Sequence, residues 1–239
     1  VASLIAASLP LAGCANDDAS TITVSAASSL TDAFTEIGAA FEEKNPDTSI
    51  RFNFAGSSTL AEQINSGAPV DVFAAASITA MQRAVDADSV ETPRAFATNS
   101  LAIAVPLQNP AGISDLTDLA DPAVTMVVCD SPVPCGAAAN ELFAKNNLVI
   151  EPASLEPDVR AVLTKVIVDE ADAGIVYRTD LNAVVGEVKG IQIPDEMNVA
   201  NEYAIAVTAD ANPDARRFVE FVTGNDGQRI LQSWGFGRP

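Results

Sequence analysis

Between Thr21 and Phe41 the chain changes period. Thr21 to Ser25 alternates polar and apolar residues as a half-buried strand does, whereas Leu30, Phe34, Ile37 and Phe41 recur at helical spacing. Four small uncharged residues, Ala26, Ala27, Ser28 and Ser29, join the two patterns. The same handover recurs down the chain. Periodicity predicts strands at "TITVSA", "IRFNFAG", "VDVFAAA", "LAIAVP", "VTMVVC", "AGIVY", "IQIP" and "YAIAVT". It predicts helices over 30–44, 58–66, 77–87, 114–120, 136–146, 157–169 and 213–222. Alternation of this kind implies α/β lobes with largely parallel sheets.

Two of these strands, 99–106 and 201–209, share an apolar run that follows an asparagine. If both cross between lobes, the chain builds one lobe, passes into a second and returns. The expected division is 21–100 for the first part of lobe one, 101–203 for lobe two and 204–239 for the return to lobe one. Two independent domains in series have the same periodicity.

Several strand-to-helix loops are alike in chemistry. "NFAGSSTLAEQI" starts a helix near Ser58, "PVPCGAAANELF" places Cys135 and Gly136 at another start, and "EPDVRAVLTKV" places Val159 in a first turn. A helix start carries unpaired N–H donors and a partial positive charge, so it receives anions without any basic residue. A serine adds a hydroxyl donor, and small neighbours let a ligand reach the backbone. Serine is also a favoured N-cap, and any one such loop taken alone reads first as a capped helix.

Composition narrows the function. The chain has 239 residues, 48% of them hydrophobic, enough for a buried core. Its net charge of −19, from 13 basic and 32 acidic residues, repels phosphate backbones and argues against a nucleic-acid partner. It has no histidine, which removes Ser-His and Cys-His catalysis and His-ligated zinc. For an enzyme using serine, Lys165 and Lys189 are the only bases worth testing. Asp71, at a strand start, reads as local structure rather than as a catalytic acid.

The apolar, uncharged run "VASLIAASLPLAG" before Cys14 is too short to span a bilayer and reads as the end of a secretory signal. "LAGC" resembles the lipobox of bacterial lipoproteins, which makes Cys14 the lipidation site and 15–20 a polar tether; the alternative is an ordinary signal end with an incidental cysteine. The folded protein is then exported and anchored by lipid on the outer side of the cytoplasmic membrane. Cys129 and Cys135 lie close in sequence, and an exported address favours a disulfide between them; the alternative is two independent buried thiols, since spacing does not prove disulfide geometry. No CxxC pair supports redox catalysis or a thiolate zinc site.

"ITVSAASSLTDAF", "FNFAGSSTLAEQINSGAPVDVFAAAS", "VPCGAAA", "PDVRAVL" and "AGIVYRTD" together resemble the periplasmic molybdate-binding component of ABC importers, over nearly the whole folded chain. The resemblance implies a two-lobed periplasmic binding protein of type II, with two chain crossovers and the oxyanion held in a cleft between the lobes. It implies a monomer that delivers molybdate or tungstate to an ABC permease, with no cofactor, no catalysis and no direct cation ligand. Carried over by motif, the donors are Ser29 through hydroxyl and backbone, Ser57 as the family's ligand serine, Cys135 and Val159 through backbone N–H, and Tyr177 through its phenol. Cys135 replaces the family's usual alanine, a change that a backbone donor survives. Arg160, beside Val159, is expected to pair with a surface carboxylate rather than with the anion.

Such a site suits a fully ionised tetrahedral dianion, which needs donors and no acceptors. A protonated phosphate would find no partner for its own hydrogen. Sulfate has the same charge and shape, so only cavity size rejects it, and a same-fold binding protein for another tetrahedral oxyanion, such as sulfate, is the competing reading.

Overall fold

A computed structural model of the chain describes residues 20–239. The expected leader and the lipidation site Cys14 lie outside the described residues. Nine strands follow in order: β1 (Ser20–Ala27), β2 (Thr48–Ala55), β3 (Val72–Ala75), β4 (Arg94–Pro106), β5 (Met126–Cys129), β6 (Ser154–Glu156), β7 (Ala173–Tyr177), β8 (Val188–Gln192) and β9 (Ala200–Val207). Between and after them run the helices α1 (Thr31–Lys44), α2 (Ser57–Asn65), α3 (Ile78–Asp86), α4 (Pro134–Lys145), α5 (Val159–Ile167), α6 (Arg178–Ala183), α7 (Ala215–Thr223) and α8 (Asn225–Ser233).

The strand order is β2-β1-β3-β9-β4-β7-β5-β6, with β8 also paired to β4. Its continuity rests on β4, which is long enough to serve two lobes. Arg94–Ser100 pairs with β9, whereas Leu101–Pro106 pairs with β7 and β8. At the division the side chain of Asn198 substitutes for a strand: Leu101 N–H donates to its Oδ1 at 3.1 Å, and its Nδ2 donates to the Leu101 carbonyl at 2.8 Å. Backbone groups that the parting sheets would strand are thereby satisfied.

The expectation of largely parallel sheets needs correction. β1 pairs in parallel with β2 and β3, and β5 with β6 and β7, but every pairing made by β4 or β9 is antiparallel. The parallel pairs arise from strand–helix–strand units within a lobe; the two strands nearest the division run against their neighbours. The helix expected over 114–120 is also absent as such, reduced to a 3-10 turn at Thr117–Ala120. Asp118 accepts from the N–H groups of Ser114 and Asp115, and Asp115 from that of Thr117, so side chains take donors that a helix would need.

Alternation along the strands divides the core. In β3, Val72 and Ala74 face one cluster and Phe73 and Ala75 another; β9 does the same, with Tyr203, Ile205 and Val207 opposed to Ala204 and Ala206. The first cluster takes the stripe Leu30, Phe34, Ile37 and Phe41 together with α7, and the second takes α2 and α3. The other lobe encloses a single cluster built from β5, β7, α4 and α5. Phe34 is fully buried and meets Phe218 edge-on with ring centroids 6.3 Å apart, an arrangement that adds to its area burial.

Candidate functional site

Four helix starts face one another across the division between lobes. In the first lobe, β1 ends at Ala27 and a 3-10 turn, Ser28–Leu30, leads into α1; β2 ends at Ala55 and Gly56 leads into α2. In the second, the loop after β5 leads into α4, and the loop after β6 leads into α5. The narrow cavity they enclose is lined by Ser29, Ser57, Cys135, Val159 and Tyr177 with Ser28, Gly56, Ala76, Val133, Pro134 and two alanines. All five residues singled out in the sequence are thus brought together, and all five are buried. The lining contains no charged side chain.

Capping alone does not explain these loops. Neither the 3-10 turn, α1 nor α2 has a side-chain cap. The Ser57 hydroxyl accepts from Ala76 N–H at 3.0 Å, and that of Ser29 meets the Tyr203 hydroxyl at 2.9 Å. α5 is capped by Asp158, whose carboxylate takes the N–H groups of Arg160 and Ala161. Val159, as first helical residue, keeps an N–H with no acceptor in its own helix, as do Ser57 in α2 and Cys135 in α4. Cys135 follows Pro134 at the start of α4 and is bridged to Cys129, their Cα atoms 5.7 Å apart. Gly136 completes this tight loop: a Cβ there would lie 2.1 Å from the Asp130 carbonyl oxygen.

Tyr177 closes β7 and accepts from Asn201 Nδ2 at 2.9 Å. Burial, with the Asp180 charge added, holds its phenol well above its usual value, so it stays protonated. Arg160 turns from the cavity: its guanidinium pairs across the lobes with Asp32 and lies 3.6 Å from Asp180. Asp180 is fully buried and accepts from Tyr177 N–H at 2.9 Å. Burial pushes its carboxyl up to about 6 against the lowering by Arg160 and that N–H. Asp71 is structural, accepting from Thr23 N–H at 2.7 Å and Asn212 N–H at 2.6 Å.

The sequence pattern assigns no site role to Gly56 and Ala76, which also line the cavity, or to Asn99, Asn201 and Tyr203, which stand behind it. Asn99 and Asn201, the residues that open the two look-alike strands, are opposite each other in the β4–β9 register. The repeated asparagine was the available signal. Chemically, the arrangement offers hydroxyl and N–H donors under four helix starts, a neutral cradle for one compact anion.

The family model of the bacterial extracellular solute-binding proteins matches residues 22–237. Over 224 residues the chain is 41% identical to the molybdate-binding protein ModA of Mycobacterium tuberculosis H37Rv, covering 92% of this chain and 86% of that one. Among solved structures, the periplasmic molybdate-binding protein of Azotobacter vinelandii superposes with a TM-score of 0.80 at 16% identity, covering 91% of this chain and 99% of that one. The sulfate-binding protein SubI of M. tuberculosis superposes with a TM-score of 0.78 at 19% identity, covering 91% and 86%. At such identities the two superpositions speak to the fold alone.

Proposed function

Since the chain belongs to the bacterial extracellular solute-binding proteins, and among them to the molybdate-binding group, we propose that it captures molybdate between its lobes and hands it to an ABC importer. The observation that carries the reading is the set of neutral donors on one cavity: Ser29, Ser57, Cys135, Val159 and Tyr177, two loops from each lobe and a phenol beside them. Molybdate at neutral pH carries no proton and needs donors only. Ser29, Ser57 and Tyr177 offer it hydroxyls; Cys135 and Val159 offer N–H groups fixed by their helices, where the aligned peptide dipoles favour negative charge. The net charge of −19 does not oppose this, because screening acts over ~8 Å while the donors are in contact.

Tungstate, nearly the same size and equally ionised, is the second cargo. Sulfate is smaller, and donors fixed on backbone cannot all follow it inward. The exported address, with lipid on Cys14 and a monomeric chain serving the permease, completes the proposal. A melting panel tests it. Molybdate or tungstate at 100 times Kd should each stabilise the protein by ~2.7 kcal/mol, whereas sulfate and phosphate at equal concentration should have little effect. Equal stabilisation by sulfate would favour the sulfate-binding alternative.

A further inference from the structure

A hydroxyl can donate or accept, and a site that offers only donors must fix which. Of the four hydroxyls that line the cavity, on Ser28, Ser29, Ser57 and Tyr177, the last three have a hydrogen-bond partner behind them that biases the choice. The Ser57 hydroxyl accepts from the backbone N–H of Ala76, which cannot accept in return. The Tyr177 hydroxyl lies 2.9 Å from Asn201 Nδ2. The amide of Asn201 can be oriented only one way, because the same nitrogen lies 3.0 Å from the Ala76 carbonyl oxygen, an obligate acceptor. Its second hydrogen therefore goes to Tyr177. Ser29 is governed at one remove. Asn99 Oδ1 accepts from Ser100 N–H at 3.0 Å, so its Nδ2 is the donor to Thr179 and, at 3.4 Å, to the Tyr203 hydroxyl. The Tyr203 and Ser29 hydroxyls lie 2.9 Å apart, and the Asn99 amide, by donating to Tyr203, favours Tyr203 as the donor of that pair. Among the described residues the Ser29 and Ser57 hydroxyls have no other side-chain or backbone partner, whereas the Tyr177 phenol also has that of Tyr203 beside it, the ring centroids 6.0 Å apart.

We propose that Asn201 is a specificity-determining positioning residue: by donating to Tyr177 it turns the phenolic hydrogen toward the cavity, so that at this position the anion meets a donor and not a lone pair. Asn99, through Tyr203, does the same for Ser29. Asn201, Asn99 and Tyr203 are all buried, so water does not compete for these bonds. Burial also holds the Tyr203 phenol above its usual value, and the relay stays protonated. Were Tyr177 free to rotate, it could present a lone pair and accept the hydrogen of a monoprotonated phosphate. Asn201 forbids that orientation. The inference rests on the molybdate reading above, and it assigns discrimination by protonation to residues that never touch the anion.

The test is a double-mutant cycle with calorimetry of molybdate and of phosphate near neutral pH. The parent is titrated first: failure to bind molybdate would defeat the proposed function, and the inference with it. In a binding parent, Tyr177→Phe should weaken molybdate roughly 10- to 100-fold, the loss of one hydrogen bond to a charged group. Asn201→Leu should weaken it about tenfold and narrow the molybdate-to-phosphate ratio by a similar factor. Added to Tyr177→Phe, Asn201→Leu should change affinity less than about twofold, because the residue acts through the phenol. Asn201 as a mere brace for Ala76 would cost the same in both backgrounds, and additive losses with an unchanged anion ratio would overturn the proposal. Should Asn201→Leu not fold, the cycle of Asn99→Leu with Ser29→Ala decides on the same criteria.

Discussion

Gly56 touches the opposite lobe more closely than any side chain would allow. It precedes α2 with φ −61° and ψ 133°, extended backbone open to any residue, so its glycine is not required by conformation. What requires it is Pro157: a Cβ on Gly56 would lie 2.5 Å from that residue's carbonyl oxygen, with Val133 at 3.4 Å. Ordinary contact begins near 3.4 Å, so Gly56→Ala overlaps the backbone of the other lobe by about 1 Å. Overpacking of this kind costs ~1–3 kcal/mol. Here the cost falls only on the closed arrangement, since parted lobes remove the contact. If the anion binds the closed form, affinity falls by the same free energy, about 5- to 150-fold. The free protein should behave differently: alanine restricts the unfolded chain by ~0.4–1 kcal/mol in favour of folding, offset by its poorer N-cap. Its melting point should therefore stay within about 2–4 °C of the parent. Calorimetric titration of molybdate, with a scan of the free protein, measures both. Unchanged affinity would refute the reasoning and place the bound anion in a wider cleft. A large fall in the free protein's melting point would show the clash to be present without closure.

Three further outcomes follow from the site. Ser57→Ala should weaken molybdate by ~1.5–3 kcal/mol in calorimetry, the range for a hydrogen bond to a charged group; unchanged affinity would leave Ser57 as a support for Ala76 alone. Cys135→Ala keeps the N–H and should hold most of the affinity, but loss of the bridge to Cys129 should lower stability to urea by ~2–3 kcal/mol; a collapse in binding with the fold intact would mean that the side chain itself matters. Asp180 titrates near 6 in the folded protein and near 4 in the unfolded chain, so the folded state holds its proton more tightly. Its contribution to stability should fall by about 3 kcal/mol as pH rises from 4 to 6 and be flat above. Asp180→Asn should lose that slope in urea titrations, and a slope identical to the parent's would place the proton elsewhere.

Much of this architecture was legible in the chain. The stripe Leu30, Phe34, Ile37 and Phe41 needed only its period, and α2, α4 and α5 begin within two residues of their expected starts. Short or polar elements escaped. β6 has three residues and α6 has six, too few to establish a period. α8 begins Asn-Asp-Gly and buries only Gly227 and Leu231. The direction of strand pairing escaped as well, because β4 and β9 read as apolar runs whichever way their neighbours point. For the site, residue types at helix starts carried the chemistry, but convergence is a property of the two lobes together and has no local signature. Gly56 reads as a turn glycine until Pro157, 101 positions away, is seen against it. The polarity of the hydroxyls depends on Asn99 and Asn201, whose partners lie on other strands and helices.

The central claim is that a neutral, donor-only cavity between the lobes selects a fully ionised tetrahedral oxyanion of molybdate's size. The most direct measurement is calorimetric titration of molybdate into the purified protein near neutral pH, alone and against an excess of sulfate or of phosphate. One molybdate should bind per chain, with its apparent affinity nearly unmoved by either competitor. Binding abolished equally by sulfate would contradict selection by size, and binding abolished by phosphate would contradict a cavity without acceptors.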